Sequence, residues 1–468
     1  MPVDSQHKTY TAFADKWCRA RAACAGQDEV HDGGVKFLPK LGSQTPDDYK
    51  AYKLRATYFN AAGRTLNGLV GMIFRKSPQI EQNGVDDIIS DVDLEGNSLE
   101  TFAQDILREV MLVARFGVLV EYPRVDEAPK TQAEASAKNL RPYASSYPTE
   151  SIINWKMERI NNVMQATMVM LKESASEPVD EYQSKDIDQI RELRLADGQY
   201  IQRIFRKDEK TNKYVKFGDD IVPLMNNAPL GFIPFYTFGC EDNDLDLDDA
   251  PILPLADLNL AHYRVTADYE HGCHFTGLPM LFIAGITLGE KDSIYLGSQT
   301  AIVTDNEKAQ GKFIEFSGQG LGSLEKNLDS KEKQMASIGA RMLEQQKTGV
   351  ESEGAMQMRS NGENSVLAAL AVLASSQLSK MLSFMARWAG VQGEVVVNLN
   401  TDYMPVGMSA QDLTALVSAW QLGAISPNTL FDNLKRGEII KDNKEFEEEQ
   451  AQINNAAPFL PAAPAVAA

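Results

Sequence analysis

Apolar positions in this chain change their spacing twice, and the changes divide it. From residue 46 to about 120 they recur at helical intervals. Pro46, Asp47 and Asp48 put proline and acids where the helix dipole favours them, and predict a helix running through Tyr49 to Arg64. Ser98 can cap a further helix that sets Phe102, Ile106, Val110 and Val113 on one face. At Gly117 the spacing changes, and residues 117–122 read as a buried strand stopped by Pro123. Residues 124–150, rich in Ala, Ser, Pro and charge, predict a surface excursion. Short alternating or apolar runs then follow at 163–171, 189–195, 200–206 and 214–217. Asp197-Gly198 and Thr211-Asn212 stand where hairpin turns belong, so 151–239 is predicted to be β-rich.

The second half returns to helical spacing. A helix opens after Asp248, Asp249 and Pro251, with Leu255, Leu258, His262, Val265 and Tyr269 as one stripe, and ends at Gly277 and Pro279. A glycine-punctuated β-rich insert covers 278–321. Ser323 opens a second helix to Lys347, its stripe being Leu324, Leu328, Met335, Ile338 and Met342, with Lys326, Lys333 and Lys347 opposite. Residues 348–362 are polar and contain glycine, which predicts a loop. A third helix from 364 or 365 to 389 carries Leu367, Leu370, Ala374, Leu378, Met381, Met385 and Trp388. A strand at 395–399, two short helices and an Ala/Pro tail complete the chain.

Composition narrows the classes. The 468 residues suggest about two to four domains. Hydrophobic residues at 43% allow a sizeable core. The formal charge of -19 argues against a basic glove for nucleic acid, though a like-charged wall can let a polyanion slide. Cys18, Cys24, Cys240 and Cys273 are too scattered for a disulfide scaffold, which predicts free thiols in a reducing compartment. The first ten residues lack the apolar stretch of a signal peptide, and no uninterrupted apolar run reaches the ~18 residues of a membrane span. A soluble intracellular protein with no membrane association is expected.

Catalytic signatures are weak. The glycines around 311 and 318–322 fit neither a phosphate loop nor a dinucleotide fingerprint. Asp242, Asp244, Asp246 and Asp248 alternate like calcium ligands, but Leu247 and Leu253 fall where such a loop needs glycine and glutamate. His262, His271, Cys273 and His274 have no second pair of ligands to complete a zinc site. No catalytic residue, metal site or cofactor is therefore assigned, and the chain is not expected to be an enzyme.

The order of elements is more informative. Helix, compact β insert, helix, polar loop and long helix in 251–389 resemble the stem, clip, stem, tunnel loop and spine helix of tailed-bacteriophage portal proteins. Residues 41–76, 255–285 and 423–440 resemble an uncharacterised-domain branch of that family. The resemblance implies an α+β portal fold with a mixed α/β wing, helical stem, small β-rich clip, long spine helix and short helical crown. The implied boundaries are wing 1–250, first stem helix 251–273, clip 274–321, second stem helix 322–347 and tunnel loop 348–362. The spine helix 363–391, a return strand with crown 392–453 and a disordered tail 454–468 follow.

The function implied is a ring at one capsid vertex, normally of twelve subunits, through which double-stranded DNA is packaged and ejected. Terminase and then head-completion or tail adaptor proteins are expected to dock on it, with the major capsid protein and scaffold as its neighbours. The expected locations are the virion and, during assembly, the host cytoplasm. Lys326, Lys333, Lys347, Gln357, Arg359, Ser360 and Asn361 are expected to line the channel. Leu255, Leu258, Leu324, Leu328, Met335, Leu378, Met385 and Trp388 are expected to pack subunits together. Another structural protein of the head–tail junction, or a metal-dependent enzyme with converging carboxylates, are the competing classes.

Overall fold

The computed structural model describes residues 2–455 apart from 83, 124–133, 135, 136, 209, 278, 279, 286–305, 307, 315–317, 319, 339–352, 402, 404–409, 437, 438 and 441–443. The fold is α+β. It forms two compact units, 1–401 and 402–468.

The first unit opens with helices α1 (Tyr10–Ala25), α2 (Gln27–Asp32), α3 (Pro46–Arg55) and α4 (Ala61–Ile73). Thr45 and Asp48 close a reciprocal capping box on α3. The predicted single helix to Arg64 breaks at Arg55. Asn60 caps a new helix there, its side chain accepting from the Gly63 N–H at 2.8 Å. Strand β1 (Gln79–Glu81) and α5 (Asp86–Ser90) lead to α6 (Leu99–Val113), whose buried face includes Phe102, Ile106 and Val110. Ala114, at φ 66°, stops α6 and turns the chain directly into β2 (Arg115–Glu121).

Strand β2 is the centre of a three-stranded antiparallel sheet. On one side lies β3 (Tyr143–Pro148), with Val118 opposite Ser146. The surface excursion expected at 124–150 is therefore corrected at its end: 143–148 is a sheet strand that buries Ala144 and Tyr147. Five strands then form a meander: β4 (Ile152–Ile160), β5 (Val163–Pro178), β6 (Ser184–Ala196), β7 (Gln199–Lys207) and β8 (Tyr214–Ile221). The free edge of β4 is covered by the N-terminal residues. The His7 N–H donates to the Ile153 carbonyl at 2.8 Å, and the His7 ring stacks on Trp155. The short pair β9 (Leu224–Met225) and β10 (Ala228–Pro229) precedes β11 (Phe235–Gly239), the other neighbour of β2.

Helix α7 (Leu253–Thr276) runs to strands β12 (Met280–Ala284) and β13 (Gln310–Ile314), which pair antiparallel, and the chain returns as α8 (Leu321–Ile338). The apolar run expected at 300–303 and the end of the second stem helix at 339–347 lie outside the described residues. Helix α9 (Glu353–Trp388) corrects the loop expected at 348–362, because residues 353–362 are already helical. Gly354 and Gly362 disfavour helix by only about 1 kcal/mol each, and Glu, Ala, Met, Gln and Arg around them are strong helix formers. By length and composition alone Val366–Trp388 could cross a membrane, at mean hydropathy 1.4. Half of it is buried inside the protein, as in a core helix.

The strand after α9 is β14 (Val396–Asn398), which pairs with β1. Its other side is held by three serines of α9. Ser383, Ser379 and Ser375 accept from the N–H groups of Val395, Val397 and Leu399 at 2.9, 2.9 and 3.0 Å. Four helix residues rise about 6 Å and two strand residues about 6.6 Å, so a serine every fourth position matches an amide every second. The expected piece 392–453 is thereby divided, its strand belonging to the first unit and its helices to the second. The second unit contains α10 (Ala410–Gln421), α11 (Pro427–Arg436) and α12 (Phe446–Asn455). Ser426 caps α11, and Phe431 meets Phe446 edge-to-face.

Candidate functional site: the α7–hairpin–α8 segment

The root of α7 is fixed by a residue that hydrophobic spacing did not single out. Asn259 is fully buried. Its amide oxygen accepts from the Ala61 and Ala62 N–H groups at 3.1 and 2.9 Å, and its amide nitrogen donates to the Phe59 carbonyl at 2.8 Å. One side chain thus satisfies two free donors at the start of α4 and ties that helix to α7. Further along, Arg264 Nε donates to the Phe37 carbonyl at 2.9 Å, and the Tyr52 hydroxyl to Asp268 at 2.6 Å. Burial, with Asp268 nearby, pushes the Tyr52 phenol far above its ordinary value.

Helix α8 lies along α7. Met335 is buried, and Leu324, Leu328 and Lys331 are half-buried on the same side. His262, almost wholly buried, has Nε2 3.5 Å from the Glu332 carboxylate, which is 55% exposed. Burial lowers the His262 pKa, and the exposed carboxylate only partly opposes this. Lys326 and Lys333 are exposed. Lys347 lies outside the described residues. Gln357, Arg359, Ser360 and Asn361 stand on the first turns of α9 instead of a loop. On the hairpin, the exposed Lys312 lies 5.9 Å from the ring of Phe282, which is 47% exposed.

The residues expected to pack subunits divide into two groups. Leu255, Met335, Leu378, Met385 and Trp388 are buried within the single chain. They form its own core, which corrects their assignment to a subunit interface. The side chains surrounding Trp388 are intramolecular: its indole N–H donates to the Leu224 carbonyl at 3.1 Å, and its ring meets Tyr122 and Phe384. Leu258, Leu324 and Leu328 keep part of their surface open.

Elsewhere the chemistry is structural. Among the described residues, no three His, Cys, Asp or Glu side chains converge as a metal-binding group. Asp242 and Asp244 accept from the N–H groups of Asp244 and Asp246, forming turns. Burial and the neighbouring Asp242 and Asp246 charges raise the Asp244 pKa. The same loop lines a cleft of about 830 Å³ with Phe235, Gln377 and Lys380. Glu121 and Glu173 share Arg191 at 2.9 and 2.6 Å, with Tyr147, Gln189 and Gln202 completing the network between sheets.

Arg115 was also missed. Its guanidinium is buried and donates to Thr149 Oγ1 and to the carbonyls of Leu245, Thr149 and Ile152 at 2.9–3.2 Å, and it lies 4.4 Å from the Trp155 ring. Burial lowers its pKa to about 9. A lone arginine opening an apolar strand was the signal in the sequence.

Residues 251–389 match a family model described as a domain of unknown function, DUF4055. That stretch begins at the root of α7 and ends at the close of α9. No curated protein is detectably similar to the chain. Among solved structures, similarity extends to a chain in the virion of a native gene transfer agent particle. That match has TM-score 0.36 and 10% identity, over 91% of this chain and 98% of the other. A chain in the neck of the native particle computed with C12 symmetry gives TM-score 0.36 and 8% identity over 86% and 98%. Scores of this size do not by themselves establish a common fold.

Proposed function

We propose that this chain is the subunit of a portal ring at one capsid vertex, through which double-stranded DNA enters and leaves the particle. The observation that carries the reading is the α7–hairpin–α8 segment. Two helices lie against each other and are tied to a helical base by Asn259, Arg264 and Tyr52. The two strands between them pair with no third strand among the described residues. A two-stranded hairpin is marginal alone, so a neighbour or docking partner completes it.

In the ring, α7 and α8 form the stem and the hairpin is the surface for terminase and then for adaptor proteins. Lys326 and Lys333 face the DNA, and Gln357, Arg359, Ser360 and Asn361 approach the channel from the start of α9. A wall of strongly acidic chains disfavours tight phosphate binding, while sparse lysines give weak, salt-screened contacts to a moving duplex. The role is structural and involves no catalysis. Capsid protein surrounds the ring in the virion. Replacing 281–313 with a short Gly/Ser linker should leave the rest of the first unit folded and abolish capture of the cognate terminase. Undiminished capture by that variant refutes the docking role.

A further inference from the structure

The five-stranded meander carries an arm that extends past the strand pairing of its own sheet. The pairing of β4 with β5 ends at Leu171, and that of β7 with β6 ends at Gln189. Strands β5 and β6 nevertheless stay in register through five more pairs, from Ser174 opposite Asp188 to Pro178 opposite Ser184. Beyond its neighbours the meander is therefore a two-stranded ribbon without a third strand, tied to β7 by the Arg206–Glu177 ion pair, and such a ribbon is marginal in water without further support. Its tip exposes two side chains with apolar bodies, Val179 at 63% and Tyr182 at 89%. Residues 174–187 hold four carboxylates, Glu177, Asp180, Glu181 and Asp186, against the single Lys185.

The turn between β7 and β8 lies at the same end of the meander, and it has the opposite charge. Residues 207–216 hold Lys207, Lys210, Lys213 and Lys216 against two acids, and all four lysines are exposed, though Lys216 is paired with Asp220 further along β8 at 2.5 Å. Among the described residues no strand pairs with the outer edge of β8. Val215 and Phe217 are each about half exposed on that strand. A free edge with apolar side chains, basic at its turn end through Lys207, Lys210 and Lys213, is a surface for an acidic extended segment that enters from that end. The chain's own ribbon cannot occupy that outer edge, because β7 and β8 themselves stand between.

We propose that the acidic β5–β6 ribbon of one copy seats against the basic β7–β8 hairpin and β8 edge of the next copy. The contact is head-to-tail: each copy presents its ribbon to one neighbour and its β8 edge to the other, and such contacts close into a ring when the rotation permits. Opposite charge fixes the direction and disfavours ribbon-to-ribbon pairing. This inference rests on the ring reading above and names one of the surfaces that would join its subunits.

Mixing two charge-reversed proteins separates the contact from any effect within a chain. One carries Glu181→Lys and Asp186→Lys, the other Lys210→Glu and Lys213→Glu; all four positions are exposed. Assembly of each full-length protein is followed by mass photometry against concentration, with far-UV circular dichroism as the check on folding. Each variant alone should need at least about tenfold more protein for half-assembly, since like charges then meet. An equimolar mixture should assemble at the wild-type concentration, because alternating copies restore opposite charge at every contact.

Variants that each assemble like the wild type, or a mixture no better than its components, overturn the inference while leaving the ring reading intact. A wild type that stays monomeric overturns both. Should a reversed chain fail to fold, chains carrying Tyr182→Cys and Val215→Cys are mixed and treated with a short bismaleimide. A cross-linked pair above the background of the native cysteines supports the contact, and its absence in assembled rings overturns it.

Discussion

The serines that bind β14 to α9 permit a quantitative test. Ser379→Ala removes the acceptor of the Val397 N–H, which belongs to a buried residue. A buried donor left without a partner costs about 1–3 kcal/mol, and alanine's better helix propensity offsets about 0.5 kcal/mol of that. The net loss should be about 1–2 kcal/mol, a factor of about 5–30 in the opening equilibrium of this strand. Removing all three serines, Ser375, Ser379 and Ser383, should approach three times that cost, less whatever the freed strand recovers by shifting. Hydrogen exchange of the amides of Val395, Val397 and Leu399 reads this directly. Their protection should fall by the stated factor, while amides of the central strand β2 stay protected. If Ser379→Ala lowers overall stability yet leaves the Val397 amide as protected as before, the hydroxyl is not its partner and the reasoning fails.

Four further expectations can be checked on the same protein. Asn259→Leu strands two N–H groups and one carbonyl and should cost about 3–5 kcal/mol, seen as loss of protection at the Ala61 and Ala62 amides. A Cβ at Gly63 would lie 2.3 Å from the Cys24 carbonyl oxygen, so Gly63→Ala should destabilise by about 1–3 kcal/mol in a denaturant titration. Burial lowers the His262 pKa in the folded chain, so its contribution is fully present above the ordinary value of 6.5 and is lost as pH falls from there through the lowered folded value. Protection factors of the amides in 330–338, corrected for the intrinsic pH dependence of exchange, should therefore fall on acidification, and His262→Gln should flatten that dependence. Lys326→Glu with Lys333→Glu should leave folding and assembly unchanged and reduce DNA retention in packaged particles, because both lysines are exposed.

Much of the fold could be read from the sequence where burial is local and periodic. Helix α6 announced itself through Phe102, Ile106 and Val110, and the meander through its turns at Asp197-Gly198 and Thr211-Asn212, where Asp197, Gly198 and Asn212 adopt positive φ. Strand β3 was hidden because Tyr-Ala-Ser-Ser-Tyr-Pro has little apolar alternation and takes its strand identity from β2. The start of α9 was hidden by its glycines. Asn259 and Arg115 could not be found by spacing, since their partners lie 130–200 residues away or belong to another element's backbone. The stripes ending at Met385 and Trp388 mark a buried face. A stripe records that a face is covered and not which chain covers it, and here the chain covers its own.

The central claim is that copies of this chain close into a ring around DNA. Native mass spectrometry of the full-length purified chain, with class-averaged electron micrographs viewed down the particle axis, tests it most directly. The account predicts one closed oligomer, twelvefold by the resemblance, with an open centre wide enough to pass a DNA duplex. A single-chain mass at micromolar protein, or an assembly without a central opening, contradicts it.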